Sequence, residues 1–288
     1  MKLYLKKTYK KFIKLIFLVI YGKISIADKN LKSVKKILVK KKFFNNKKYY
    51  IYEIKNGVIF TDNVQNVAAI KDNKIYPPAS FQHAKNRLVS AKFNPVSNTG
   101  TTKIKKKYQG TILSLVQGAS TENYFHWLLD ILPKIKICFE SYSLNKIDYF
   151  YLSNLTISQM ESLKYLGIKK KQILNSKIHN HISADKIIFI SHPWYNRGKF
   201  HDQSYKLPKW IISWIRSYFL KYKKKIKSSK KIYLDRSESK YNHCQIINDK
   251  ELKNYLIKKN FKSVKLSRLS FAKQIFMFWN AECIIGAH

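Results

Sequence analysis

Between Lys231 and Ala287 the chain alternates short β-rich runs with helical ones in a fixed order, and this restricts the possible folds more than any other feature. Lys231-Ile-Tyr-Leu-Asp235 predicts a strand. Asn248-Asp-Lys-Glu251 has the spacing of a capping box and predicts a helix running to about Lys259. Residues 261–266 predict a second strand, Ser270 caps a helix reaching Ala281, and residues 282–287 predict a third strand. Strand-helix-strand-helix-strand is the opening half of a doubly wound parallel sheet. One such half cannot cover both faces of its sheet. The sequence, which stops at His288, is therefore expected to be a fragment cut inside this lobe.

Upstream the pattern is less regular. Tyr49 to Thr61 reads Tyr-Tyr-Ile-Tyr-Glu-Ile-Lys-Asn-Gly-Val-Ile-Phe-Thr, and Asn56-Gly57 between two β-rich runs predicts a hairpin. Asp72-Asn73 repeats that signal more weakly. Residues 76–107 read as loop, with Pro77-Pro78, Pro95 and Gly100. Strands at 108–116, 147–152 and 186–190, with a helix at 158–166, suggest a parallel α/β layer. His179 and His181, in a polar stretch without acids or cysteines at ligand spacing, read as surface residues. Pro208 opens a helix in which Trp210, Trp214, Tyr218 and Tyr222 recur every four residues. Such a stripe can stack single-stranded bases, but it reads as a helix packed on a core or bridging two lobes. Residues 221–231 form a basic linker.

The fold class is therefore α/β, divided into a basic N-terminal segment (1–48), an N-terminal α/β lobe (49–225) and the start of a second, Rossmann-like lobe (226–288) that is incomplete.

The net charge is +41, which taken alone suggests nucleic acid or an anionic membrane. The excess is nearly all Lys, since Arg occurs only at 87, 197, 216, 236 and 268. Readers of nucleic-acid sequence lean on the planar fork of Arg, so specific nucleic-acid binding is not the favoured reading. Three widely spaced cysteines, 138, 244 and 283, with no C-x-x-C, argue against a disulfide framework and a structural zinc site, and fit a reducing, cytoplasmic setting. The apolar run from Leu15 to Tyr21 is far short of the ~20 residues that span a membrane, and lacks the features of a signal peptide. Two readings of this basic helix stay open: it packs on the domain, or it rests peripherally on an anionic membrane, the inner face if cytoplasmic.

The stretch Gly118-Ala-Ser-Thr-Glu-Asn-Tyr-Phe-His-Trp-Leu-Leu-Asp-Ile-Leu-Pro133 sets polar residues at helical intervals among large apolar ones. Glu122, His126 and Asp130 are four apart and share one helical face. Ser120 or Thr121 can cap the helix, and Pro133 ends it, kinks it or opens a second segment. His126 and Asp130 are either a satisfied core pair or the floor of a site. A His is suited to taking a proton near neutral pH, with an Asp to orient it, or the Asp is itself the base. Glu122 and Asn123, at the helix start, contact a substrate or only cap the helix.

Ligands of doubly wound sheets bind at the carboxyl ends of the strands. Arg236 follows the first strand of the second lobe and His288 ends the third, so both are candidate contacts for a diphosphate. The sequence has no Gly-rich dinucleotide fingerprint, no P-loop and no Asp-x-Asp pair for a divalent cation.

Glu122-Asn-Tyr-Phe-His-Trp-Leu-Leu-Asp-Ile-Leu-Pro133 resembles the signature of glycosyltransferase family 61, the capsular-polysaccharide-type transferases. The order Ile232-Tyr-Leu-Asp-Arg236, Ile247–Leu252, Leu269–Ile275 and Ala281–His288 is similar to that family too, and the likeness covers roughly residues 50–288. Members continue into Gly-Ala-Gly and further sheet. They also often carry a second Arg a few residues before the position of Asn248, where this chain has His243 and Cys244. The resemblance implies a GT-B-like pair of Rossmann-like lobes. It implies inverting, metal-independent transfer of a sugar from a nucleotide-sugar donor, a UDP-sugar with no further cofactor. The acceptor it implies is a saccharide or lipid-linked saccharide of bacterial capsule or surface polysaccharide. It makes His126 and Asp130 the catalytic pair and Glu122, Asn123, Arg236 and His288 substrate contacts. The alternative is a non-enzymatic basic protein binding nucleic acid or another anionic polymer.

Overall fold

The computed structural model describes residues 2–28, 31–45, 47–61, 67–84, 87–89, 91–117, 123–195, 198–238 and 246–287. The chain divides into two compact units, Met1–Leu155 with Lys169–Ile212, and Thr156–Ile168 with Ser213–His288.

The first unit opens with helix α1 (Lys2–Tyr21) and is built on a large mixed sheet. Its strands are β1 (Ser25–Ile26), β2 (Val34–Val39), β3 (Tyr49–Thr61), β4 (Val67–Lys71), β5 (Lys74–Ile75), β6 (Lys106–Ser114), β7 (Tyr149–Leu152), β8 (Ile173–Asn175) and β9 (His181–Ile190). Their order is β1-β5-β4-β3-β9-β6-β7-β8, with β2 also paired to β3. The neighbours β9-β6-β7-β8 are all parallel, whereas β3 runs antiparallel to β9, β2 and β4. The core is aliphatic and aromatic: Ile54, Ile59, Ile112, Tyr151, Ile187 and Phe189 are buried together. Each such side chain contributes about 1.5–3 kcal/mol by leaving water.

Asn56-Gly57 is not a hairpin. β3 runs straight through it as one 13-residue strand, paired along its length with β9 from Ile51↔Ile190 to Phe60↔His181. On its other edge β3 pairs with β2 up to Ile54 and with β4 from Val58, so Asn56-Gly57 marks a change of neighbour. Asn56 keeps the left-handed conformation that the dipeptide favours (φ 48°). A ladder of tertiary pairings outweighs the local turn preference. Asp72-Asn73 does form the tight turn between β4 and β5, with both residues left-handed (φ 49° and 54°), as a two-residue hairpin of the mirror-image type requires.

His181 is also not a surface residue. Its ring is buried, contacts the edges of Tyr21 and Phe60, and bonds the Lys103 carbonyl through Nδ1 at 2.6 Å. Burial pushes its imidazole down to about 4. In the helix from Pro208, α5 (Lys209–Phe219; α2 to α4 are placed below), Trp210 and Ile211 are buried in the first unit, where Trp210 Nε1 donates to Tyr49 Oη at 2.8 Å, and Phe219 is buried in the second.

The second unit contains the alternation read from sequence. β10 (Lys231–Leu234), α6 (Asp249–Lys258), β11 (Lys262–Val264), α7 (Phe271–Asn280) and β12 (Cys283–Gly286) follow in turn, and the three strands are parallel in the order β11-β10-β12. The Ser270 hydroxyl caps α7, as its position implied. Asn248 makes no side-chain cap; its amide instead reaches Glu251 at 3.4 Å. A full capping box occurs at Thr156 and Gln159, opening α4 (Ile157–Tyr165). That helix belongs to the second unit, where Glu161 accepts from the Phe271 N–H at 2.6 Å and Tyr165 stacks on Tyr222.

β6 and β9 step out of register between Ala184 and Lys186, and Gly110 takes the extra position with φ 89°. Its N–H is held by Asp185 at 2.7 Å, and Asp148 accepts the next N–H, from Thr111, at 2.7 Å. A Cβ at Gly110 would collide with the Asp148 carboxylate. Gly110→Ala is therefore expected to cost about 1–3 kcal/mol, from left-handed strain and loss of that carboxylate position. Urea unfolding followed by circular dichroism measures it, and an unchanged midpoint would refute the bulge as a structural requirement.

Candidate active site

β6 and β9 lie side by side and parallel, so their carboxyl ends open on the same edge of the sheet. The site is made by the two segments that leave those ends. From β6 the chain passes through Leu115, Val116 and Gln117 to a helix that begins at Asn123. From β9 it passes directly into Ser191-His192-Pro193-Trp194-Tyr195.

The helix is α2 (Tyr124–His126), a π turn (Trp127–Ile131) and α3 (Leu132–Phe139) in continuous succession. Asn123 is its cap, with the side-chain oxygen accepting from the Phe125 and His126 N–H groups. Capping is thus the role the structure shows for Asn123. Ser120, Thr121 and Glu122 lie outside the described residues. Pro133 has no N–H to give the carbonyl four residues earlier. Just before it the chain widens, and the Leu132 N–H bonds Trp127 O, five residues back. Pro133 therefore does not end the helix; it sits in the first turn of the segment that follows the widened turn, consistent with the reading that it opens a second segment.

His126 and Asp130 do meet. His126 Nδ1 lies 2.7 Å from Asp130 Oδ2, with the imidazole 15% exposed and the carboxylate fully buried. An ionised carboxylate only accepts, so the proton sits on Nδ1 and the basic nitrogen of the neutral ring is Nε2. The other carboxylate oxygen, Oδ1, accepts a short hydrogen bond from Trp194 Nε1. His192 is the third ring on the carboxylate. Its Nδ1 accepts from the Tyr195 N–H at 2.9 Å, which puts the proton on Nε2, 3.6 Å from Asp130 Oδ2. One turn along, Lys134 is also fully buried, and its ammonium donates to the Gln117 carbonyl at 2.6 Å.

Burial alone would raise the Asp130 carboxyl, but the electrostatic attraction and hydrogen bonding of the His192 and His126 N–H groups outweigh it and hold it well below the usual carboxylate range. Burial pushes the His192 imidazole down, against the pull of Asp130. Asp130 is thus ionised and His192 neutral, a compatible pair because the neutral ring still turns an N–H toward the carboxylate. Burial also pushes the Lys134 ammonium down to about 8, with Asp130 opposing. The arrangement is a partly accessible imidazole backed by a dry, fixed anion. It suits accepting a proton and holding the resulting charge.

The sequence reading named His126 and Asp130 and missed His192, Trp194 and Lys134. The signal for the first two was present, since they directly follow the strand read at 186–190, where the carboxyl-end rule applies. Lys134 gave none, being one lysine among many. Arg236 follows β10 in the second unit, and its guanidinium donates to the Ala287 carbonyl at 3.4 Å, at the end of β12. His288 lies outside the described residues.

A sequence model of one family, Glycosyltransferase 61, matches residues 124–288. No curated protein matches the chain. The matched span starts at the first residue of α2 and takes in His126, Asp130, His192, Trp194 and Arg236.

A carboxyl whose folded pKa lies below its unfolded value adds stability that is fully present above about pH 4 and is lost as pH falls through the folded value. Asp130→Asn is therefore expected to cost about 1–3 kcal/mol at neutral pH, with donors left poorly paired in a dry site. The gap between parent and variant should shrink steadily below about pH 4. Urea midpoints over that range measure it; a gap that stays constant into acid would show that the buried charge is not what stabilises this region.

Proposed function

The chain belongs to the glycosyltransferase 61 family and is a glycosyltransferase; from that premise we propose that His126 is the general base of an inverting, metal-independent sugar transfer. The observation that carries the reading is the 2.7 Å bond from His126 Nδ1 to a carboxylate that is itself wholly buried. Inversion at an anomeric carbon needs one base on the attacking side. In the proposed step the acceptor hydroxyl gives its proton to His126 Nε2 as its oxygen bonds the anomeric carbon. The bond from that carbon to the diphosphate breaks, and the nucleoside diphosphate leaves with the electron pair. The imidazolium that forms rests against Asp130, whose position is held by Trp194 and His192. Asp130 is a positioning residue here rather than the base, because its oxygens are spent on those rings and no part of it is exposed.

The donor we assign is a nucleotide sugar, a UDP-sugar. The acceptor we assign is a saccharide or lipid-linked saccharide of bacterial capsule or surface polysaccharide. The parallel β-α-β-α-β order of the second unit supports a nucleotide-binding lobe of the GT-B type. Arg236 and His288 remain the proposed donor contacts there. With no Asp-x-Asp pair in the sequence, charge on the leaving group would fall to side-chain cations and helix N-termini.

Isothermal titration with UDP, and turnover of a UDP-sugar panel, test this reading. UDP is expected to bind, and His126→Ala to lower kcat by about 100-fold or more with its circular dichroism unchanged. Full turnover in His126→Ala would refute the assignment. Steeply salt-dependent DNA binding, indifferent to His126 and Asp130 and with no affinity for UDP, would instead favour a basic polymer-binding protein.

A further inference from the structure

Helix α1 carries more apolar surface than the protein covers. At about 100° per residue, Ile13, Phe17 and Tyr21 share one arc. These three are half-buried, and Tyr21 is the anchor. Its hydroxyl accepts from the Lys105 N–H at 2.8 Å, its ring meets His181 edge-on, and its carbonyl accepts from Asn73 Nδ2 at 2.8 Å. Phe12, Leu15 and Val19 lie on the opposite arc, and Ile16, Tyr9 and Ile20 fill the side between it and Ile13, all exposed, with Val19 at 87%. Single exposed apolar residues are ordinary, but a continuous row along three turns is an interaction surface. Lys11, exposed, borders that surface next to Leu15, and Lys10 and Lys14, also exposed, lie on the other side of the helix at the angle of Phe17 and Tyr21.

Among the described residues no helix is long and apolar enough to cross a membrane. A helix anchored at Tyr21, with a broad exposed apolar face and lysines on its other side, has the form of a helix lying in the plane of a bilayer interface. The charge selects the partner. A second copy of the chain, itself strongly positive, would meet these lysines with like charge. An anionic lipid surface complements them.

We propose that α1 docks the protein on an anionic lipid bilayer. Phe12, Leu15, Ile16 and Val19 enter the boundary between headgroups and acyl chains, while Lys11 flanks them and Lys10 and Lys14, on the polar face, add positive charge above the headgroups. The proposal is independent of the catalytic reading.

Flotation of the full chain with vesicles tests it, using phosphatidylcholine alone and phosphatidylcholine mixed with phosphatidylglycerol at about 0.1 M salt. Binding is expected to be about tenfold or more stronger on the anionic vesicles. The double substitution Phe12→Ser with Val19→Ser should weaken anionic-vesicle binding by about tenfold, and Lys10→Glu with Lys14→Glu should remove the preference for anionic lipid. All four side chains are exposed, so melting temperatures should not move. Three results would overturn the proposal. The first is no binding to anionic vesicles. The second is binding untouched by the Phe12 and Val19 changes, which would mark mere adsorption of a basic chain. The third is self-association in solution abolished by those same changes, which would mark a second copy as the occupant.

Discussion

The first unit is arranged around one buried anion. A carboxylate moved from water into a dry interior is costly by several kcal/mol unless hydrogen bonds and charge replace its hydration. Asp130 has Trp194 on one oxygen, His126 on the other, and His192 beside the second. These groups come from segments more than 60 residues apart in sequence, as the separation of Trp194 from Asp130 shows. They converge only because β6 and β9 are adjacent and parallel. The sheet must form before the anion is satisfied, and the satisfied anion then locks the two segments that leave the sheet. The geometry of the His126–Asp130 pair and the packing of this edge are thus one structure.

Much of this was open to reading from the sequence, unevenly so. The alternation after Lys231 is visible because each element there is short, local and capped, and the structure contains it in the same order. The pairing of His126 with Asp130 was visible because a helix brings residues four apart together whatever else happens. The role of Asn56-Gly57 was hidden by a non-local fact. The strand that overrides its turn tendency, β9, lies more than 120 residues downstream, where Ala184 faces Gly57. His181 was misplaced for a similar reason, since its buried surroundings come from Tyr21, Phe60 and Lys103. Polar spacing says how a residue sits on its own element, and nothing about what packs over it.

His192 and Trp194 stand between these cases. Their positions just after a strand were legible, but their meaning depended on knowing that this strand borders the one feeding α2. Lys134 lies furthest from inference. In a chain this rich in lysine a single buried ammonium has no mark in the sequence, yet it is one of two fully buried charged side chains in that helix.

The widened turn at Trp127–Ile131 has a consequence for how this helix can change over time. Each residue in an α-helix advances the phase by about 100°, so one residue gained or lost normally rotates everything beyond it to a different face. Here the extra residue is absorbed at the one point that separates the imidazole from the core-facing segment bearing Lys134 and Cys138. The two ends of the helix are set to different angular registers, one carrying the imidazole and one facing the core. A single deletion in the turn would restore an ordinary spiral. It would also swing His126 away from the direction in which it now faces. The helix is in this sense a jointed part, with its joint between the imidazole and the core-facing segment beneath it.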